Sequence, residues 1–191
     1  MRPCFKAMLL LSAVLIPLDC FSGPEPEMTL SIGGDVKKPR QWSVEQLKAQ
    51  FSDQIREVKF MDPLRSYKFV TGKGIPLYSF IKAAEPWKEK KTKWTGRDRG
   101  DAVTHSHMVF LVILEARDSF HTVFSLAELM PHFRSTEVLL VWEKDGEPLS
   151  GEDAPLRLAV VNDRDPDRNM YGISSITLLD CEKLMEQLKA K

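Results

Sequence analysis

Cysteine is scarce in this chain, with three in 191 residues. Cys4 and Cys20 fall within the first 22 residues, which have the composition of a cleaved leader, so that only Cys181 remains in the mature protein. A single thiol cannot form an intramolecular disulfide. The sequence therefore predicts a fold held together by its hydrophobic core, with Cys181 as a buried apolar residue of a helix.

An excess of either charge is also missing, because 27 basic residues face 27 acidic ones. Binding of nucleic acid usually requires a concentrated basic surface, so this balance argues against nucleic acid as a partner. Several enzyme signatures are absent as well: the glycines of a nucleophile elbow, a glycine-rich phosphate loop and a Cys-x-x-Cys pair. Ordinary hydrolase and nucleotide-binding functions therefore have no support.

Hydrophobic runs are short, and one of them opens the chain. Arg2 and Lys6 precede an uncharged apolar run at 7–18, which is followed by small residues up to Gly23. This order is typical of a signal peptide, and a run of this length falls below the ~20 residues of a membrane-spanning helix. We expect a signal peptide at 1–22 and export to the periplasm, with no membrane span after cleavage.

Two alternatives to this leader remain open. In the first alternative, the apolar run is not cleaved and stays on the protein as a membrane anchor. Under the second, Cys20 would be acylated as in a lipoprotein, although Asp19 stands where lipoprotein signals resemble one another in having a small residue. For the cleaved leader, the cut falls after Ser22 or after Gly23.

A single domain is predicted at 28–191, behind a short linker at 23–27. Alternation and β-branched content indicate about eight short strands, at 28–32, 55–61, 67–71, 108–116, 120–124, 138–143, 156–161 and 173–179. Four short helices are expected between and after them. The apolar run at 108–116 predicts a central strand buried on both faces. The order of elements predicts a mixed, mainly antiparallel α+β domain.

Local signals fix several element boundaries. Ser43 with Gln46 and Ser125 with Glu128 have the spacing of capping boxes, in which a side chain at each end satisfies a free backbone N–H of the first helical turn. The Asp-Gly pair at 145–146 supplies the positive φ angles that a tight hairpin requires.

Three stretches, in order, carry a family pattern. The first is Gly-Ile-Pro-Leu at 74–77, opening a helix. The second, at 116–129, looks like an Asp-Gly-Tyr turn, strand and capped helix in which Ser119 and Phe120 replace Gly and Tyr. The third runs over 140–158. Together they resemble the molybdopterin-binding domain of the sulfite oxidase family, in its small single-domain bacterial members, over about residues 28–180.

One departure from the family pattern concerns the metal. The resemblance implies that a cysteine from the segment before the Gly-x-Pro-Leu helix ligates molybdenum in catalytic members. Its thiolate is a soft ligand that holds the metal in the geometry for oxo transfer. Phe60, Met61 and Asp62 occupy that place here, and no cysteine lies between Phe21 and Cys181. We therefore expect no metal site and a non-catalytic role.

The resemblance also suggests where a ligand would bind, since it brings two loops beside the cofactor. The predicted ligand-binding residues are Arg117, Asp118, Arg164 and Arg168. Arginine can grip a phosphate or carboxylate through two parallel hydrogen bonds. The expected ligand is molybdopterin, a related pterin or another small anionic molecule.

The same four residues have an alternative interpretation without any ligand. Arg164 and Arg168 would then be neutralised in a solvated loop by the acidic residues among them, which are Asp163, Asp165 and Asp167. Asp118 would cap its own turn through the backbone.

Three functions thus stay open. The favoured one is a periplasmic ligand-binding domain or a partner or sensory subunit. A molybdopterin-dependent oxidoreductase, with the dithiolene alone holding the metal, is the second. The third is a protein-binding module that meets an envelope protein through the basic, tryptophan-containing stretch at 87–101.

The His105 and His107 pair lacks further ligands for a metal, and His121 and His132 are expected at the surface.

Overall fold

A computed structural model of the protein describes residues 29–86, 109–133 and 137–190. Its strands are β1 (Thr29–Gly34), β2 (Arg40–Ser43), β3 (Arg56–Asp62), β4 (Lys68–Pro76), β5 (Phe110–Ala116), β6 (His121–Ser125), β7 (Val138–Lys144), β8 (Glu147–Pro148), β9 (Arg157–Val160) and β10 (Ile173–Asp180). Its helices are α1 (Val44–Gln50), α2 (Leu77–Ala83), α3 (Leu126–Leu129) and α4 (Cys181–Lys189).

The strands form two sheets. The first has the order β2-β1-β10-β5-β6, in which only β1 and β10 run parallel. The second has the order β3-β4-β7-β8, with β9 also paired to β7, and every pair in it is antiparallel. The predicted mixed, mainly antiparallel α+β class is confirmed.

Helix starts follow the predicted caps, with one difference. At α1 both bonds of the capping box form, since Gln46 N donates to Ser43 Oγ (3.3 Å) and Ser43 N donates to Gln46 Oε1 (3.0 Å). At α3, Glu128 N donates to Ser125 Oγ (3.2 Å), while the Glu128 carboxylate accepts a hydrogen bond from Arg168. The second box thus contributes its N-cap, and its acidic member joins a tertiary ion pair.

Strand β5 is central, as predicted, but the prediction that both of its faces are buried is wrong. Phe110, Val112 and Leu114 are buried, whereas Leu111 and Ile113 between them are partly exposed. The first sheet presents one face to the main core, which it shares with α1, α2 and the inner face of the second sheet. The outward side chains of β5 are therefore only half covered.

Two strands differ from the sequence-based boundaries. The four-residue strand β2 was not predicted, and β4 continues through Gly72 and Gly74 to Pro76 instead of ending at residue 71. A Cβ at Gly74 would lie 1.9 Å from the carbonyl oxygen of Leu140 on β7. Gly74 therefore lets the backbone of β7 come close to β4 beside a bulge, and it does not end the strand.

The C-terminal helix α4 forms where expected, with the Asp180 carboxylate accepting from Glu182 N at its start (3.0 Å). Cys181 is the first residue of α4 and is only partly buried, so the expectation of a buried thiol is wrong. Within the described ranges, none of the helices has both the length and the apolar character needed to cross a bilayer.

Candidate functional site

A cleft of about 300 Å³ opens where three segments of the two sheets meet. They are the end of β3, the turn between β5 and β6, and the loop between β9 and β10. Its lining residues are Pro63, Leu64, Ala116, Asp118, Phe120, Asp167, Asn169, Met170 and Tyr171. We refer to this space as the cleft.

The turn between β5 and β6 presents an aromatic ring to the cleft. Phe120 N donates to Asp118 Oδ1 (3.0 Å), and Ser119 N donates to the carbonyl of Ala116 (3.0 Å). Ser119 adopts a left-handed φ of 68°, a conformation that glycine adopts more readily. The tight turn leaves the Phe120 side chain 50% exposed, and it confirms the interpretation in which Asp118 caps its own turn.

Asn169 attaches the loop between β9 and β10 to the second sheet. Its Nδ2 donates to the carbonyl oxygen of Met61 at the end of β3 (2.9 Å), and its Oδ1 accepts from Val160 N at the end of β9. The Asn169 side chain is only 3% exposed. One amide group thereby links β3 to β9, which are not hydrogen-bonded partners in the sheet, and fixes the floor of the cleft.

A second hollow, which we call the arginine groove, adjoins the cleft and shares Asp118 and Tyr171 with it. Arg117 and Glu152 also line this groove. The Arg117 side chain is exposed, and its Nη2 donates to the carbonyl oxygens of Gly151 (2.7 Å) and Glu152 (3.3 Å). The guanidinium is thus held against backbone at the groove.

Arg168 is occupied by acidic partners. Its Nε and Nη2 each donate to one carboxylate oxygen of Asp163 (2.8 Å), and its Nη1 donates to Glu128 (2.9 Å). The guanidinium lies over the ring of Phe124, at 4.7 Å from the centroid. The hydrogen bond with Asp163, reinforced by Glu128, raises the pKa of Arg168 despite its partial burial. This pairing matches the ligand-free interpretation of the loop.

The four predicted binding residues therefore separate in space. Asp118 lines the cleft and the arginine groove, and Arg117 lines the groove. Arg168 and the exposed Arg164 line neither. Leu64, Phe120, Asn169 and Tyr171 were not predicted as site residues. Phe120 and Asn169 each lie within two residues of a predicted one, and that proximity was the available signal.

The end of β3, where the resemblance places the metal-ligating cysteine, carries a buried ion pair. Asp62 and Arg157 are both 0% exposed. Arg157 Nη1 and Nη2 donate to the two oxygens of the Asp62 carboxylate, at 3.0 and 2.9 Å. Leu64 N also donates to Asp62 Oδ1 (3.0 Å). Both oxygens of Asp62 are therefore used within the fold.

Two partly exposed charges extend this buried ion pair into a network. Lys144 Nζ lies 3.6 Å from Asp62 and contacts Asp153, and Asp153 lies 3.2 Å from Arg157. Burial by itself would raise the pKa of Asp62, but the hydrogen bonds and charge of Arg157, with help from Leu64 N–H and Lys144, lower it below its ordinary value. Asp62 is therefore an ionised structural partner at neutral pH.

These residues do not fit a molybdenum centre. Molybdenum in this family pattern takes a soft thiolate, and the end of β3 offers a phenyl ring, a thioether and a carboxylate already bound by Arg157. Among the described residues, no three His, Cys, Asp or Glu side chains gather in a way that could hold a metal ion. His105 and His107 lie outside the described residues, as do the predicted leader at 1–22 and the stretch at 87–101.

Comparison with known proteins agrees with this architecture. The model of the oxidoreductase molybdopterin binding domain family matches residues 20–179, and the chain belongs to that family. Its fold is similar to that of the sulfane dehydrogenase SoxCD from Paracoccus pantotrophus, with a TM-score of 0.56 and 17% sequence identity. The match covers 80% of this chain and 38% of that one, so this chain spans well under half its length. No curated protein sequence gave a significant match.

Proposed function

We propose that this chain is an exported, non-catalytic member of its family that binds a small organic ligand in the cleft. The observation that carries the proposal is the ion pair of Asp62 with Arg157 at the end of β3. A carboxylate that is fully buried and bound through both oxygens is not available to a metal. The signal-peptide pattern at 1–22 supports the exported location.

The position of the cleft supports ligand binding. It is formed by the three segments that the family resemblance places around the cofactor: the end of β3, the turn after β5 and the loop after β9. Leu64 and Phe120 are 54% and 50% exposed at its wall. Large apolar side chains that converge on a concave surface, with a few polar groups beside them, are typical of a small-molecule site.

The family implies a pterin as the ligand, and the cleft offers groups suited to a pterin ring. Phe120 and Tyr171 present aromatic surface, on which a flat heterocycle can stack. The carboxylates of Asp118 and Asp167 can accept hydrogen bonds from the amino group of such a ring. Nothing in this arrangement requires molybdenum, and the oxidoreductase alternative gains no ligand for the metal from the described residues.

Titration with unsubstituted pterin tests the proposal, with quenching of pterin fluorescence as the signal. We expect saturable binding that Phe120→Ala weakens about 2- to 10-fold, the range for loss of an aromatic stacking partner. Phe133→Ala is the matched control, because Phe133 is 49% exposed and does not line the cleft. Equal affinities of the two variants, or no binding by the natural sequence, would remove the cleft as a pterin site.

A further inference from the structure

The charges at the cleft have one sign. Asp118 and Asp167 are its only charged lining residues among those that the structure describes. The Arg117 guanidinium belongs to the adjoining groove, where it is bound to two backbone carbonyls. Arg168 is bound by Asp163 and Glu128. A molecule in the cleft therefore meets two carboxylates, and none of the described residues that line the cleft carries a positive charge.

A neighbouring carboxylate strengthens this negative field. Asp165 caps the short turn at 166–168, accepting from Asp167 N (3.1 Å). The charge of Asp165 raises the pKa of Asp167, because the ionised form of Asp167 is repelled by its neighbour. A positive group placed in the cleft would relieve this repulsion.

The rest of the cleft wall is apolar and aromatic. Phe120 and Tyr171 line it together with Leu64 and the buried Met170. The faces of aromatic rings attract organic cations, and carboxylates beside such rings add charge attraction. Apolar surface next to two carboxylates complements a molecule that joins an apolar body to a positive head.

We propose that the cleft selects a small organic cation, with an ammonium or guanidinium head held between Asp118 and Asp167 and an apolar body packed against Phe120 and Leu64. This inference rests on the proposed function only in taking the cleft as the binding site. It differs from the anionic ligand that the sequence predicted for Arg117, Asp118, Arg164 and Arg168, which stays a prediction.

Three small probes that share a phenyl ring and differ in charge test the sign of the charge: benzyltrimethylammonium, benzyl alcohol and benzoate. Their affinities for the full-length mature protein can be measured by NMR titration at neutral pH. We expect the cation to bind about two- to fivefold more tightly than the neutral alcohol, and benzoate to bind most weakly. Added salt should weaken binding of the cation while leaving the alcohol unchanged.

Two variants locate the cation. Asp118→Asn keeps an acceptor for Phe120 N–H while removing the charge, and Asp167→Asn leaves the backbone bond to Asp165 in place. Each should lower the affinity for benzyltrimethylammonium about two- to fivefold, as expected for an exposed charge pair, without changing that for benzyl alcohol. Asp53→Asn, at an exposed aspartate away from the cleft, is the control and should leave all affinities unchanged.

The outcomes separate this inference from the proposed function. If the alcohol or benzoate binds as tightly as the cation, or if the two aspartate variants keep the affinity of the natural sequence, the cation preference is wrong and the cleft remains a ligand site. If neither the three probes nor pterin binds, the proposed function fails as well.

Discussion

Replacing Arg157 with methionine is expected to destabilise the protein by about 3–5 kcal/mol, the cost of leaving a buried charge without its partner. Arg157 is fully buried and makes both hydrogen bonds to the Asp62 carboxylate. Without it, Lys144 at 3.6 Å is the remaining cation beside Asp62 among the described residues. Urea unfolding followed by tryptophan fluorescence gives the free energy of unfolding.

Two further variants make this result specific. Arg56→Met removes a partner from the exposed Arg56–Glu137 pair and should cost about 0–1 kcal/mol. The double variant Asp62→Asn with Arg157→Met removes both charges. Its asparagine still offers an acceptor for Leu64 N–H, and its methionine still covers the ring of Phe60. Since Arg157 Nε is buried without an acceptor among the described residues, the double variant should recover much of the lost stability. Comparable losses in the free energy of unfolding for Arg157→Met and Arg56→Met would contradict the assignment of Asp62 and Arg157 as a buried ion pair.

Asn169→Ala is the second change with a large expected effect. It removes the acceptor for Val160 N–H and the donor to the Met61 carbonyl in one step. An unsatisfied buried backbone group costs about 1–3 kcal/mol, and two such groups are left here. Because water from the cleft can reach one of them, we expect a loss of about 2–4 kcal/mol in the free energy of unfolding. Pterin affinity should fall as well, because Asn169 forms part of the floor of the cleft.

A surface amide provides the comparison for this variant. Gln50→Ala, at the exposed end of α1, should change the free energy of unfolding by less than about 0.5 kcal/mol. If Asn169→Ala were as mild as Gln50→Ala, the amide would not be the link between β3 and β9. If stability fell while pterin affinity stayed constant, the loop would support the fold without shaping the cleft.

Local chemistry accounts for what the sequence predicts correctly. Ser43 and Gln46 lie in one helical turn, and residues 145 and 146 fill a tight hairpin turn with φ angles of 54° and 85°. The side chains that decide these features are close in sequence, so spacing identifies them. The glycines of β4 show the limit, since Gly74 is required by the approach of Leu140 from another strand.

The long-range partners of the charged side chains could not be predicted in this way. Asp62 and Arg157 are 95 residues apart in sequence, and Arg168 and Glu128 are 40 apart. Which charges pair depends on how segments that are distant in sequence come together in the fold, and periodicity carries no information on those tertiary contacts. The ion pair of Arg168 with Glu128 was therefore not foreseen, and the role of Arg168 as a ligand contact stays a prediction.

The molybdenum content of the purified protein decides whether this chain holds the metal of its family. The protein should be isolated from the periplasm of a molybdenum-replete host that makes the cofactor, beside a cysteine-bearing family member as a positive control. We expect molybdenum in the control and none in stoichiometric amount in this protein. One molybdenum per chain, together with pterin, would overturn the proposed non-catalytic role and establish a molybdopterin enzyme without the thiolate ligand.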